Sequence, residues 1–235
     1  MSSPGSPPLP VLAVLTGDII GSTKLSIERM GHTRSLVEKV AREFRPRAPR
    51  AVCGVPEFFR GDSWQLLLRE PRWALRVALT IRALLIAEIA VATRLLIGVG
   101  GADFIDTRRV SLSTGEAFTL SGRALDAMTG YFDLSGALPE RAGALARWFP
   151  ATLHVCSGLV RPWTRRQAEI ISFALLPDSP THEQIARLLR PPVAKQTVSE
   201  SLAGADWRSL NEAIRAFEET DWSALLAVPA RGRKA

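Results

Sequence analysis

The sequence is poor in cysteine, with two in 235 residues, and nearly as poor in histidine and methionine, with three of each. Cys53 and Cys156 are too few and too far apart for a disulfide framework or a cysteine-based zinc site, which points to a reducing compartment. The cytoplasm is the expected location. His32, His154 and His182 stand singly, so the ligand spacings of zinc sites are absent, and surface or capping roles fit each of them. No long apolar run goes unbroken: Leu84 to Gly101 is interrupted by Glu88 and Arg94, charges that are costly in lipid. That stretch is expected to be a buried helix followed by a strand, with no membrane partner. Met1 to Pro10 holds four prolines and three serines. It lacks the basic start and apolar run of a secretory signal and is expected to be a disordered tail.

What is present is ample apolar material, 46% of the chain, enough to fill one large core or two modest ones. The formal charge of +7 suits polyanionic partners. From Leu159 to Ala235, however, eleven Lys and Arg face nine Asp and Glu, so that segment carries only +2. A case for DNA must rest on pattern more than on charge.

Val11 to Thr16 is a short apolar run closed by Gly17, a strand signal; Ser22 or Thr23 then caps a helix with Ile27, Met30, Val37, Val40 and Phe44 on one face. After a proline-rich break, Ala51 to Phe59 and Ser63 to Arg69 flank Gly61-Asp62, which reads as a hairpin. Pro71 opens a helix through Leu75, Ala78, Leu79, Ile81 and Leu85, and Ala92 to Val99 is a β-rich run. The order is β-α-β-β-α-β, the ferredoxin-like or split βαβ arrangement.

In that arrangement Asp18, at the end of the first strand, and Asp62, at the hairpin turn, come side by side. Two carboxylates so close repel unless a cation lies between them, and oxygen ligands favour Mg²⁺ or Mn²⁺. Gly21-Ser22-Thr23, at a helix start, offers backbone N–H groups to a triphosphate. Downstream, Thr119 and Arg123 lie four apart on one helix face, where Arg123 could neutralise charge on a phosphate. Each feature also has a plain structural reading: Gly-Asp as a turn, Gly-Ser-Thr as a helix cap, Arg123 as a solvated helix residue.

These residues carry a resemblance. Thr16-Gly17-Asp18-Ile19-Ile20-Gly21-Ser22-Thr23, Arg60-Gly61-Asp62-Ser63 and Gly115-Glu116-Ala117-Phe118-Thr119 with Arg123 look like the motifs of class III nucleotidyl cyclases, over roughly residues 11 to 135. Together with a terminal DNA-binding segment, the chain resembles the SatD family. The cyclase resemblance implies a head-to-tail homodimer in which Asp18 and Asp62, with the Ile19 carbonyl, hold two metal ions. The partner would bring Thr119 and Arg123 to the nucleotide. The implied reaction converts a nucleoside triphosphate to a cyclic nucleotide and pyrophosphate. Thr119 stands where such cyclases usually carry a ribose-orienting asparagine, and Phe58 where adenine-selective members often carry a lysine. Base choice is therefore open, and a site with the metal aspartates alone could bind a nucleotide without turning it over.

In the C-terminal part, Pro162 and Thr164 open a helical pattern through Leu176. Thr181 caps a second helix with Glu183-Gln184 in its first turn and Ile185, Ala186 and Leu189 on its buried face. After Arg190-Pro191-Pro192, the segment Gln196 to Leu202 sets Val198 and Leu202 four apart among small polar residues, as recognition helices do. Gln196, Thr197, Ser199 and Ser201 are expected to face bases or phosphates of double-stranded DNA, with Lys195, Arg187 and Arg190 supplying charge. The alternative is a three-helix bundle packed on the first domain or on a protein partner. Trp207, Leu210, Ile214 and Phe217 mark a further packing helix.

The expected fold class is α/β of the α+β kind. A cyclase-type βαββαβ domain spans 11–158 and an all-α helix-turn-helix domain spans 159–228, with tails at 1–10 and 229–235. The expected function is a DNA-binding regulator with a nucleotide- and metal-binding dimer domain. An active nucleotidyl cyclase and a ligand-free scaffold are the alternatives.

Overall fold

A computed structural model describes residues 10–128 and 130–227; the two expected tails lie outside them apart from Pro10. The chain is a mixed α and β structure around one five-stranded sheet. Strand β1, Val11–Ile19, sits in the middle, paired antiparallel with β3, Ser63–Leu68, on one side and with β4, Thr93–Gly101, on the other. Strand β2, Val52–Phe59, forms a hairpin with β3, and a short β5, Leu134–Ala137, lies parallel to β4, giving the order β2-β3-β1-β4-β5. The four antiparallel strands are compatible with the split βαβ order read from the sequence.

Helix α1, Ile27–Arg47, and helix α2, Ala74–Ile89, cover one face of the sheet, where Ala13, Leu15, Leu66, Leu68, Leu95, Ile97 and Val99 join the main core. The alternate residues Leu12, Val14 and Leu67 point the other way, into a smaller cluster with Ala117 and Phe118 of helix α3, Glu116–Asp126. Side chains one apart along a strand thus feed two cores, as the pleat requires. Helix α3 lies close: a carbon added at Gly98 would stand 2.5 Å from the Ala117 carbonyl oxygen.

One expectation about the first helix is corrected. Ser22–Lys24 forms a single 3₁₀ turn preceded by Gly21 at φ 71°, and α1 begins later, its first turn capped by the Ser26 hydroxyl accepting from the Arg29 N–H. Ser22 and Thr23 therefore do not cap the long helix. Likewise Pro71 starts a 3₁₀ turn, Pro71–Trp73, that leads into α2.

Beyond the sheet come α4, Leu145–Val160; α5, Arg165–Ala174; α6, His182–Leu188; α7, Lys195–Gly204; α8, Trp207–Glu219; and α9, Trp222–Leu225. The threonines at 164 and 181 each close a capping box with Gln167 and Gln184, so both short helices start where the sequence places them. The expected boundary between 158 and 159 falls within the last turn of α4, and one hydrophobic cluster runs across it from β1 to Leu226. Helix α2 is the shared wall: every residue from Ala74 to Leu85 is buried, because the sheet covers one side and α5 the other. Phe149, Phe217 and Trp222 meet with ring centroids 4.6–5.7 Å apart and tie α4 to α8 and α9. Cys53 and Cys156 are both free and buried, and burial pushes the Cys156 thiol up to about 11, so it stays protonated and inert. Among the described residues no helix is long and apolar enough to cross a membrane.

Two polar ties cross the same wall. Arg76 of α2 holds both carboxylate oxygens of Glu218 on α8, at 2.5 and 3.0 Å, with its side chain 6% exposed. Arg165 of α5 donates to the Ala87 and Glu88 carbonyls at the end of α2. Removing one partner of a buried pair strands the other. Arg76→Met is expected to lower stability in urea unfolding by ~2–3 kcal/mol. Arg215→Met, which breaks an exposed pair with Glu219, should change it by less than ~0.5 kcal/mol.

Candidate functional site

The register of the central strands assembles the site. Asp18 lies opposite Ser63 on one side, next to Asp62 in the hairpin turn, and directly opposite Arg94 on the other. Arg94 takes both carboxylate oxygens of Asp18: Nε donates to Oδ1 at 2.9 Å and Nη2 to Oδ2. The Thr93 hydroxyl donates to the Asp18 carbonyl at 2.6 Å, which fixes the backbone behind the pair. The hydrogen bond to Asp18 raises the Arg94 guanidinium above its ordinary value, against a smaller effect of burial. Asp62 accepts from the Ser22 hydroxyl at 2.5 Å and more weakly from Ser63 at 3.5 Å.

Asp18, Ile19, Gly21, Ser22, Thr23, Asp62 and Arg94 line one open cleft of about 370 Å³, together with Gly130 and Asp133. Asp133 is itself held by Arg82 of α2 at 2.9 Å and Arg161 at 3.6 Å. Burial lowers the Arg82 guanidinium from its ordinary value, with Asp133 opposing. A second cleft, about 560 Å³, shares Ser22, Thr23 and Asp62 and continues between α1 and the hairpin. Leu25, Ile27 and Met30 give it apolar walls, and Arg34 and Arg60 give it positive charge. The hairpin tip is shaped by positive φ at Arg60, 51°, and Gly61, 90°. It is pinned by Arg34, which donates to the Gly61 carbonyl at 2.8 Å and lies 5.2 Å over the Phe58 ring.

The structure therefore brings Asp18, Ile19, Asp62, Gly21, Ser22 and Thr23 to one place, with Arg60 at the adjoining cleft. Phe58 is stacked beneath Arg34 and lines neither cleft. Thr119 and Arg123 line a separate cleft on α3, about 430 Å³, with Glu116 and Arg141. Within one chain they do not meet the aspartates. The phosphate cradle expected at a long helix start is also altered, because α1 opens at Ser26 and the Gly21-Ser22-Thr23 segment is a lone 3₁₀ turn. Its backbone lacks the aligned dipole of a long helix.

The donor set does not fit a pair of divalent ions in this arrangement. Both oxygens of Asp18 are engaged by a guanidinium, and those of Asp62 by hydroxyls. Among the described residues no group of three or more His, Cys, Asp or Glu stands where it could hold a metal.

In the C-terminal part, α5, α6 and α7 pack on one another, and α7 buries Val198 and Leu202 while Lys195, Gln196 and Thr197 face solvent. Gln196 reaches Glu200 at 3.0 Å on that outer face. Ser199 turns inward to His182 at 2.9 Å, and Ser201 is half-buried. Arg187 pairs with Glu183 at 2.7 Å, and Arg190 donates to the Arg187 and Leu189 carbonyls.

Sequence reasoning missed Arg94, Asp133, Arg82 and Arg34. Arg94 was visible only as a charge inside an apolar run; its meaning comes from standing opposite Asp18 in a neighbouring strand.

No protein-family model matches the chain, and no curated protein matches it. Solved structures do match, among them the crystal structure of the guanylyl cyclase Cya2. It is 17% identical, with a TM-score of 0.34, over 55% of this chain and 74% of that one.

Gly17, next to Asp18, has no room for a side chain: a carbon added there would stand 2.6 Å from the buried Trp64 ring and 2.9 Å from the Arg94 carbonyl oxygen. Gly17→Ala is expected to cost ~1–3 kcal/mol in urea unfolding, since neither neighbour can give way freely. Gly31→Ala, in α1 with nothing within 4 Å of the added carbon, should shift stability the other way by ~0.5–1 kcal/mol. A Gly17→Ala protein as stable as the wild type would show that the packing around Asp18 is loose.

Proposed function

We propose that this chain is a DNA-binding regulator, working as a homodimer, whose C-terminal three-helix unit docks on duplex DNA and whose sheet-end clefts hold a nucleotide without turning it over. The observation that carries the reading is the division of α7. Val198 and Leu202 are buried against the neighbouring helices, while Lys195, Gln196 and Thr197 are exposed on the outer side. A helix anchored by one apolar stripe and open on a polar one is what a major groove accepts. Lys195 would contact phosphate, and Gln196 and Thr197 base edges. Ser199 is engaged by His182, so its part would be to hold the helix rather than to read DNA.

The nucleotide part of the reading is supported by the adjoining clefts, which share Ser22, Thr23 and Asp62 and whose volumes suit a small molecule. Apolar Leu25, Ile27 and Met30 offer a surface for a base, and Arg34 and Arg60 offer charge for phosphates. The absence of turnover is supported by Arg94, whose guanidinium engages both oxygens of Asp18.

Fluorescence anisotropy with selected duplexes tests the DNA reading. Lys195→Ala is expected to weaken binding to all sequences alike and to lower the salt dependence by about one ion. Gln196→Ala is expected to cost ~1–3 kcal/mol at the preferred site and to relax its sequence. Binding of no duplex beyond the level of random DNA would sink the proposal.

A second reading, a nucleotidyl cyclase, is favoured by one observation: Asp18 and Asp62 share a cleft. Purified protein incubated with Mn²⁺ and each of ATP, GTP, CTP and UTP is expected to yield no cyclic mononucleotide by mass spectrometry. A cyclic product with pyrophosphate, lost in Asp62→Asn, would establish the enzyme and name its base.

A further inference from the structure

We propose that the cleft at the end of β1 works without a divalent cation, because Arg94 is its resident counter-charge and the residue that excludes metal. The inference deepens the reading of this cleft as a nucleotide-holding site that does not turn its ligand over. Three observations carry it. The first is geometric. Asp18 and Arg94 are direct cross-strand partners on two nine-residue strands, so their meeting is imposed by the ladder of the sheet and not by a loop. Cross-strand partners lie about 5 Å apart at Cβ, and a guanidinium fork matches a carboxylate edge to edge. Both Asp18 oxygens are taken in that way, and the Asp18 side chain is 14% exposed.

The second observation is the charge balance. Around the cleft stand Asp18, Asp62 and Asp133, and against them Arg94, Arg82 and Arg161. Arg94 lines the cleft and neutralises Asp18, while Arg82 and Arg161 neutralise Asp133 from outside the lining, which leaves Asp62 alone of the three without a guanidinium partner among the described residues. Mg²⁺ and Mn²⁺ sites need surplus negative charge and free carboxylate oxygens, since a hard cation must recover from its ligands what it loses in hydration. Here the surplus is cut to the single carboxylate of Asp62. The third is the state of Asp62, whose Oδ2 receives the Ser22 hydroxyl at 2.5 Å, a bond that ties the carboxylate to the 3₁₀ turn. A ligand entering from the larger cleft would meet the Arg34 and Arg60 guanidinium groups directly, so its phosphates need no metal bridge.

Mn²⁺ titration of the full chain, followed by calorimetry and by the electron paramagnetic resonance signal of the free ion, tests the assignment without any appeal to activity. Wild-type protein is expected to show no saturable site tighter than about 1 mM. Arg94→Met should create one, tighter than anything in the wild type by on the order of a hundredfold, and the further change Asp18→Asn should remove it. Arg94→Lys keeps the charge and should stay metal-silent, whereas Arg94→Gln, which removes the charge and keeps a polar side chain, should gain the site and guards against an Arg94→Met protein that does not fold. A saturable wild-type site lost in Asp18→Asn would overturn the proposal, and so would a folded Arg94→Met protein that gains nothing. A parallel arm measures retention of fluorescent ATP and GTP analogues in EDTA and in Mg²⁺. Equal retention in both supports metal-free binding, and retention only in Mg²⁺ overturns it. If the Mn²⁺ arm succeeds while neither buffer retains any nucleotide, the reading of the cleft as a nucleotide site fails and the role of Arg94 stands.

Discussion

Helix α2 has to hide apolar side chains around its whole circumference. Leu75, Val77, Leu79, Ile81 and Leu85 are all essentially solvent-free, and no single sheet face can cover a helix on every side. A second layer is obligatory. Helix α5 supplies it with Ala168, Ile170 and Ile171, and α8 closes the end with Leu210, Ile214 and Phe217. The helices after residue 160 are thus half of the covering that α2 demands, and the core is continuous across the molecule for that reason. Two buried arginines on α2 reach different partners in this arrangement, Arg76 reaching Glu218 and Arg82 reaching Asp133, and each satisfies a charge that packing alone would leave stranded.

The same economy explains the site. A strand in the centre of a sheet has a neighbour on both sides, so whatever ends β1 is met by residues of β3 and β4 at fixed register. Asp18 meets Ser63 and Asp62 from one side and Arg94 from the other. A carboxylate with an aspartate as sole neighbour would call for a cation from solution. With Arg94 opposite, the cation is already covalently part of the sheet. What distinguishes the two chemistries is one residue on an adjacent strand, and it lies 76 positions away in the chain.

This separation shows what was legible in the sequence and what was not. Strands β1 to β4 and helix α2 announce themselves through local periodicity, and Thr164 and Thr181 through the Thr-x-x-Gln box that each completes. The start of α1 was misplaced because Ser22, Thr23 and Ser26 all qualify as caps within five positions. The choice among them was made by the left-handed Gly21, which turns the chain before the helix can begin. Strand β5, Leu-Ser-Gly-Ala, has no β-rich composition; it is a strand because Gly136 lets Phe149 and Leu153 of α4 lie against it, where an added carbon would meet them at 2.4 and 2.5 Å. Helix α4 itself contains Pro150 and Gly158, breakers that its buried Phe149, Leu153, Cys156 and Val160 override. Asp18 and Asp62 were found from their motifs. Arg94 was not, since a pairing between strands carries no local signal.

The placement of the two arginines on α2 bears on how the parts of the molecule communicate. Arg82 and Arg76 are six residues apart, about 9 Å along a helix. Arg82 holds Asp133 at the wall of the cleft; Arg76 holds Glu218 on α8, which packs beside α7. One helix, buried from Ala74 to Leu85, therefore touches the wall of the cleft through one ion pair and the C-terminal helices through another. A flexible linker would let the two ends move independently. A close-packed helix ties them more tightly, because it is covered by the sheet on one side and by α5 on the other. Asp133 and Glu218 are thus both tied to one helix, Asp133 through Arg82 and Glu218 through Arg76, and α2 is the physical connection between the cleft and the C-terminal helices.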